Sequence, residues 1–169
     1  MYDLVLQNGL VVDGGRAKPY TANVCIQDGK IAKITTDTVS GTETLDVSGL
    51  AVAPGFIDLH SHSDASPLMD YAVESKIAQG VTTEIVGNCG ISILPATPER
   101  IGEIEEYITS QLELPVYGKK VAQMSVTDYA RAVKEHGAST NYGVLVGHGT
   151  LRLAVMGFVN RAPSEEEME

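Results

Sequence analysis

The sequence predicts an α/β protein in two parts, a β-rich opening over residues 1–51 and strands alternating with helices over residues 52–169. Three observations carry this. The opening alternates in polarity and is punctuated by Asn8-Gly9 and Asp28-Gly29, with no helical period. From residue 52 onward, short apolar strands alternate with helical spacings, the pattern of a parallel sheet with right-handed crossovers. The chemically versatile side chains then fall at the carboxyl ends of those strands, where parallel α/β folds gather their chemistry.

The elements follow in order. Tyr2, Leu4 and Leu6 alternate with Asp3, Val5 and Gln7, and Asn8-Gly9 reads as a turn before Leu10 to Val12 resumes the pattern. Residues 23–27 and 30–36 flank Asp28-Gly29, the strongest short hairpin signal. Residues 43–47 make another short strand, and residues 50–59 are apolar and β-like. Residues 68–79 read as a helix that Gly80 ends. Residues 81–86 are β-branched and short enough for a strand.

Thr97-Pro98-Glu99 opens a helix well, because threonine can cap and proline suits the first turn. Ile101, Ile104, Ile108 and Leu112 follow at helical spacing. Residues 114–123 have no clear period. Ser125 and Asp128 resemble a capping box for a helix through Tyr129, Ala132 and Val133, closed by His136 and Gly137. Residues 141–146 form a strand that ends in Gly147-His148-Gly149. Pro163, Ser164 and three glutamates have the composition of a final helix's first turn, with Ser164 as its cap.

Composition bounds the partners. With 169 residues, 43% of them hydrophobic, the chain can bury a core. Its net charge of −10 repels phosphate backbones, which argues against nucleic-acid binding. No apolar run approaches the ~20 residues that span a bilayer, and no basic amphipathic helix suits a membrane surface. Met1-Tyr2-Asp3-Leu4 lacks the start of a signal peptide, so a cytoplasmic location is expected. The two cysteines, Cys25 and Cys89, could pair, but nothing suggests a secreted framework. Cys25, between Val24 and Ile26, reads as a small core residue.

The most informative segment is residues 53–64, Ala-Pro-Gly-Phe-Ile-Asp-Leu-His-Ser-His-Ser-Asp. His60 and His62 stand two apart at a strand end, so their imidazoles project to one side, as two ligands of one metal ion would. A lone H-x-H is weak; the flanking pattern strengthens it. Cys89 follows the second strand of this part and His148 the third, so four groups converge at one end of a barrel or open sheet. Imidazole and thiolate suit zinc, which lowers the pKa of bound water and polarises a carbonyl, the chemistry of C–N bond hydrolysis. Each residue has a plainer reading. Cys89 could simply fill a tight turn, and His148 could line the site or do nothing. Asp64 could orient an imidazole, contact substrate or be a solvated loop carboxylate. Asn88 could bond substrate or its own turn.

Together these segments resemble the amidohydrolase superfamily. Residues 3–9 and 11–14 are similar to its N-terminal β-sandwich, and residues 53–62 to its first barrel strand with paired histidine ligands. Residues 80–90 with Gly147-His148-Gly149-Thr150-Leu151-Arg152 resemble the N-acyl-D-amino-acid deacylases, or D-aminoacylases. The resemblance covers the whole chain. It implies part of a small β-sandwich followed by about the first three βα units of a (β/α)8 barrel, which in full takes ~250 residues. It implies zinc held by His60, His62 and Cys89, with one tight site and a second, weaker position that the histidine pair would hold. Asp64, Asn88 and His148 become site-lining candidates. The implied substrate is an N-acyl-D-amino acid, cleaved to a carboxylate and the free D-amino acid.

The family's later histidines and general-base aspartate have no counterpart here, so no catalytic residue is assigned and that aspartate is expected beyond residue 169. The chain is therefore expected to be inactive alone, and either to need the missing C-terminal part or to self-associate. Two rivals remain: a cyclic-amide hydrolase of the dihydroorotase or hydantoinase type, which usually carries a modified lysine in place of the cysteine, and a non-catalytic scaffold of the same fold.

Overall fold

A single extra residue sets the geometry of the first sheet. In the computed structural model, which describes residues 1–68, 74–112 and 124–169, Asn8-Gly9 does not turn the chain. Strand β1 (Tyr2–Val11) runs straight through it, and the register with β2 (Tyr20–Gln27) shifts between Leu6 and Gly9. A two-residue hairpin turn of the Asn-Gly type needs positive φ at both central residues. Here Asn8 alone has it, at 61°, and the result is a β-bulge. The Asn8 N–H donates to Asn23 Oδ1 at 3.0 Å, and the Asn8 side-chain amide donates to Asp46 Oδ1 at 3.1 Å. The bulge changes which residues share a face. Leu6 and Val11, an odd five apart, join Ala22, Val24 and Val52 in one apolar cluster.

Asp28-Gly29 is the contrasting case. Both residues have positive φ, 53° and 69°, and they join β2 to β3 (Lys30–Thr35) as an antiparallel hairpin. Strands β4 (Gly41–Asp46) and β5 (Ala51–Val52) both pair parallel with β1, giving the order β3-β2-β1-β4 with β5 also on β1. Because Ala51 and Val52 belong to this sheet, the first compact unit extends over Met1–Pro54, a little past the change of texture at residue 51. Val5 and Cys25 face each other across β1 and β2 and are fully buried, and both cysteines of the chain are free thiols.

The second unit, Gly55–Glu169, holds a three-stranded parallel sheet in the order β6 (Phe56–Asp58), β7 (Val81–Val86), β8 (Asn141–Val144). The expected helix over 68–79 is shorter in the described residues. It consists of a 3-10 turn at Ser66–Leu68 and α1 (Glu74–Ala78), closed by Gly80 at φ 80°; residues 69–73 lie outside the described set. After Thr97 a 3-10 turn, Pro98–Arg100, leads into α2 (Ile101–Leu112). Thr97 makes no side-chain cap, because its hydroxyl donates to the Ala154 carbonyl instead. The irregular stretch 114–123 lies outside the described residues. α3 (Val126–His136) starts at a complete Ser125/Asp128 capping box and stops at Gly137, φ 83°.

Two further expectations change. The strand from Asn141 ends at Val144, and α4 (His148–Met156) follows it, a helix the glycines at 147 and 149 concealed. Those glycines are needed for contact: a Cβ on either would collide with the Gly90 carbonyl, which accepts from the amides of Gly149 (2.9 Å) and Thr150 (3.3 Å). The acidic tail forms only a turn. Ser164 and Glu167 do cap each other, but Arg161 holds the Glu167 carboxylate at 2.6–2.7 Å and no helix propagates. The core of this unit is Ile104 and Ile108 of α2, Tyr129 of α3, Leu153 and Ala154 of α4, and Ile93 and Leu94 of the intervening loop. Each fully buried isoleucine contributes roughly 1.5–3 kcal/mol. This packing fixes the helices against the loops that follow β7 and β8.

Candidate metal centre

His60 and His62 lie just past the end of β6, and Cys89 lies past β7. Parallel neighbours bring equivalent strand ends side by side, so a separation of 29 residues in sequence closes to 3.1 Å between His60 Nε2 and Cys89 Sγ. His62 completes the group: one donor atom from each of the three residues lies within 4.8 Å of the others. The two imidazoles meet edge to face with centroids 5.4 Å apart. Zinc bonds to nitrogen and sulfur are ~2.0–2.3 Å, so tetrahedral ligands of one ion stand roughly 3.3–3.8 Å apart. The donor set fits such an ion with small side-chain adjustment. His62 Nδ1 is buried without a hydrogen-bond partner, a state in which a nitrogen is readily ligated.

The loop that carries Cys89 is shaped by left-handed backbone. Gly87, Cys89 and Gly90 have φ of 81°, 57° and 79°. At Gly87 the glycine is obligatory, since a Cβ would also run into the Leu145 carbonyl. The Asn88 side-chain amide donates to the Ile85 carbonyl at 2.7 Å and the Ser61 carbonyl at 3.2 Å. It thus ties its own turn to the histidine loop. Ser61 N–H adds a bond to the Ile85 carbonyl at 3.0 Å.

Asp64 is not a solvated carboxylate. It is 1% exposed and neither oxygen has a hydrogen-bond partner of good geometry. Burial pushes its pKa up to about 6, against the opposing pull of the nearby amides of Asp64, Gly87 and Ile93. Tyr129 reaches the same residue, donating its hydroxyl to the Asp64 carbonyl at 2.7 Å. His148 is the exposed first residue of α4 and stands outside the three-residue group.

Sequence reasoning passed over Glu84. It sits in the middle of β7 with no exposed surface. Its Oε2 accepts from Ser61 Oγ (2.7 Å) and Ser63 Oγ (2.5 Å), and its Oε1 from Thr140 Oγ1 (2.9 Å). Lys76 of α1 lies 3.5 Å from Glu84 and 2.5 Å from Asp58, which in turn accepts the His60 N–H at 3.1 Å. Burial would raise the Glu84 pKa, but the bonds from Ser63, Ser61 and Thr140 and the Lys76 charge outweigh it, so the carboxyl is held below its usual range. The available signal was a carboxylate inside a β-branched strand, on the same strand face as Val86.

No family model matches the chain. It is 38% identical to a D-aminoacylase of Alcaligenes xylosoxydans xylosoxydans over 99% of its length, and it covers 33% of that protein. A solved D-aminoacylase, which has a binuclear metal centre, superposes with a TM-score of 0.84 at 34% identity, over 99% of this chain and 34% of that one. An N-acyl-D-glutamate deacylase of Bordetella bronchiseptica, solved with zinc and a phosphonate mimic of the tetrahedral intermediate, gives 0.80 at 34%, over 98% and 34%. The chain thus spans about a third of the length of the relatives it matches.

Proposed function

We propose that this chain, which belongs to the D-aminoacylase family of amidohydrolases, carries part of the metal centre of a zinc-dependent N-acyl-D-amino-acid deacylase. The observation that carries the proposal is the convergence of His60, His62 and Cys89 within 4.8 Å. In this reading the first sheet is part of a small β-sandwich, and β6 to β8 with their helices are the opening units of a (β/α)8 barrel. A bound zinc ion would supply a water of lowered pKa and polarise the acyl carbonyl. A second, weaker metal position is in keeping with the binuclear D-aminoacylase.

What the chain's own residues do follows from the geometry. His60, His62 and Cys89 supply imidazole and thiolate donors. Asn88 and the Ser61 amide lock the two donor loops together. Asp64 and His148 are the site-lining candidates, Asp64 from within the fold and His148 from the α4 terminus. None of the described residues is assigned the proton transfer, which this reading gives to an aspartate of the longer enzyme. The isolated chain therefore binds metal but does not turn over.

A cyclic-amide hydrolase is the weaker reading, because Cys89 stands inside the donor group where that type usually carries a modified lysine. The three converged donors argue against a non-catalytic scaffold. The test is zinc uptake by equilibrium dialysis, with hydrolysis of an N-acyl-D-amino acid in parallel. Wild type should take up zinc, and Cys89→Ala and His60→Ala should each lower that uptake. Uptake unchanged in Cys89→Ala would sink the assignment, and efficient turnover by the 169-residue chain would sink the partial-site reading.

A further inference from the structure

We infer that Glu84 is the positioning residue that holds His60 and His62 as ligands, an inference that rests on the metal reading of the His60/His62/Cys89 group. Residues 60–63 read His-Ser-His-Ser. The two histidines enter the donor group, and the two serines turn to the buried carboxylate. Both serine hydroxyls donate to the same oxygen, Glu84 Oε2, and lie 2.9 Å from each other. The Ser63 N–H approaches Ser61 Oγ at 3.3 Å, closing the loop on itself. Every second residue of the ligand segment is thus fastened to one atom.

The same carboxylate fixes the segment from its other side. Lys76 bridges Glu84 to Asp58, and Asp58 accepts the backbone N–H of His60. Glu84 also reaches Thr140, the residue that leads into β8. A carboxylate with no exposed surface is costly to bury unless its lone pairs are filled and its charge is met. Three hydroxyl donors and an ammonium do both. A ligand segment free to move would have to be ordered by the ion at the expense of affinity; this network fixes the backbone that carries both histidines beforehand.

Glutamine at 84 has nearly the same shape, but it removes the charge that meets Lys76 and offers one acceptor oxygen in place of two. The test is cobalt(II) titration of the intact chain, followed by the thiolate and ligand-field bands. Partners behind metal ligands typically govern about 10- to 100-fold in metal affinity. Glu84→Gln should therefore bind cobalt at least tenfold more weakly, with an altered ligand-field spectrum and wild-type far-UV circular dichroism. The double variant Ser61→Ala/Ser63→Ala should behave alike. Thr140→Val cuts only the bond to Oε1 and should stay within about twofold of wild type.

Wild-type affinity in a folded Glu84→Gln overturns the inference. If that variant does not fold, the serine double variant decides: weaker binding than in Thr140→Val supports positioning, and equal binding overturns it as mere stability. A wild-type chain that takes up no cobalt, or takes it up unchanged after His60→Ala, removes the metal reading itself. That result is distinct from one in which only the Glu84 and serine variants match wild type.

Discussion

Thr150 tests whether the loop bearing Cys89 is held by polar satisfaction or by apolar burial. Its side chain has no exposed surface. Its hydroxyl donates to the Ser92 carbonyl at 2.8 Å and accepts the Ser92 N–H at 3.0 Å, so one side chain fills both backbone groups of a buried residue. Ser92 in turn uses its own hydroxyl toward the Leu94 carbonyl and the Gly147 N–H. Thr150→Val keeps the shape and orphans two backbone groups. At ~1–3 kcal/mol for each unsatisfied group, less about 1 kcal/mol for the added apolar burial, the net loss is ~1–5 kcal/mol, centred near 3. Thr150→Ser keeps both bonds and deletes one methyl, at a cost of about 1 kcal/mol. Apolar burial alone predicts the opposite ranking. Urea unfolding of the three proteins at one concentration, followed by circular dichroism, separates the two accounts. Valine as stable as serine, or more so, would refute the reasoning.

Three further outcomes follow from other parts of the molecule. Burial raises the Asp64 pKa from 3.8 to about 6, so the folded state binds the extra proton between those values. The Asp64 contribution to the stability of the metal-free chain is then fully present below about pH 4 and is lost as pH rises to about 6, by up to ~3 kcal/mol at 1.36 kcal/mol per pKa unit. Asp64→Asn should flatten that slope and be the more stable protein at pH 7; parallel pH profiles in denaturant melts would contradict this. Gly87→Ala places a Cβ against the Leu145 carbonyl at φ 81°, so it should cost more than the ~1 kcal/mol of an ordinary glycine replacement and broaden the thermal transition. Phe56 and Ile57 of the edge strand β6 are 68% and 61% exposed and Leu59 just past it 70%, so the chain should self-associate in sedimentation velocity. A monodisperse monomer would speak against that expectation, and Ile57→Lys should shift the distribution toward monomer.

Much of the fold was legible because local chemistry decided it. Asp28-Gly29 turned where both residues could take positive φ, and Val81 to Val86 is a strand to the residue. Ser125 and Asp128 capped a helix as their spacing required. The misses share one cause: a residue whose local meaning was overruled by a distant partner. Asn8-Gly9 has the sequence of a turn, yet Asn23 and Asp46, from two other strands, hold it in a bulge. Gly147 and Gly149 look like helix breakers, but their missing Cβ atoms admit the Gly90 carbonyl to the start of α4. No window of sequence contains both halves of either interaction.

The candidate site divides the same way. The histidine pair is legible because its two members share one strand end, two residues apart. Cys89 could be joined to it only through the rule that parallel strands finish together, and the 3.1 Å approach to His60 follows from that rule. Glu84 was invisible, since a carboxylate in a strand has no meaning until Ser61, Ser63, Thr140 and Lys76 arrive from a loop, a strand end and a helix. This asymmetry has a physical origin. Ligands are chosen for what they do to an ion, so their types announce them. The groups that hold ligands still are chosen only for filling lone pairs at one place in space, and serine, threonine and lysine fill them as well as any others. A metal site assembled from several strand ends therefore exposes its donors to sequence reasoning and hides its rigidity. The buried carboxylate beneath the histidines is where that rigidity resides, and Thr150 does the same for the cysteine loop by clamping Ser92.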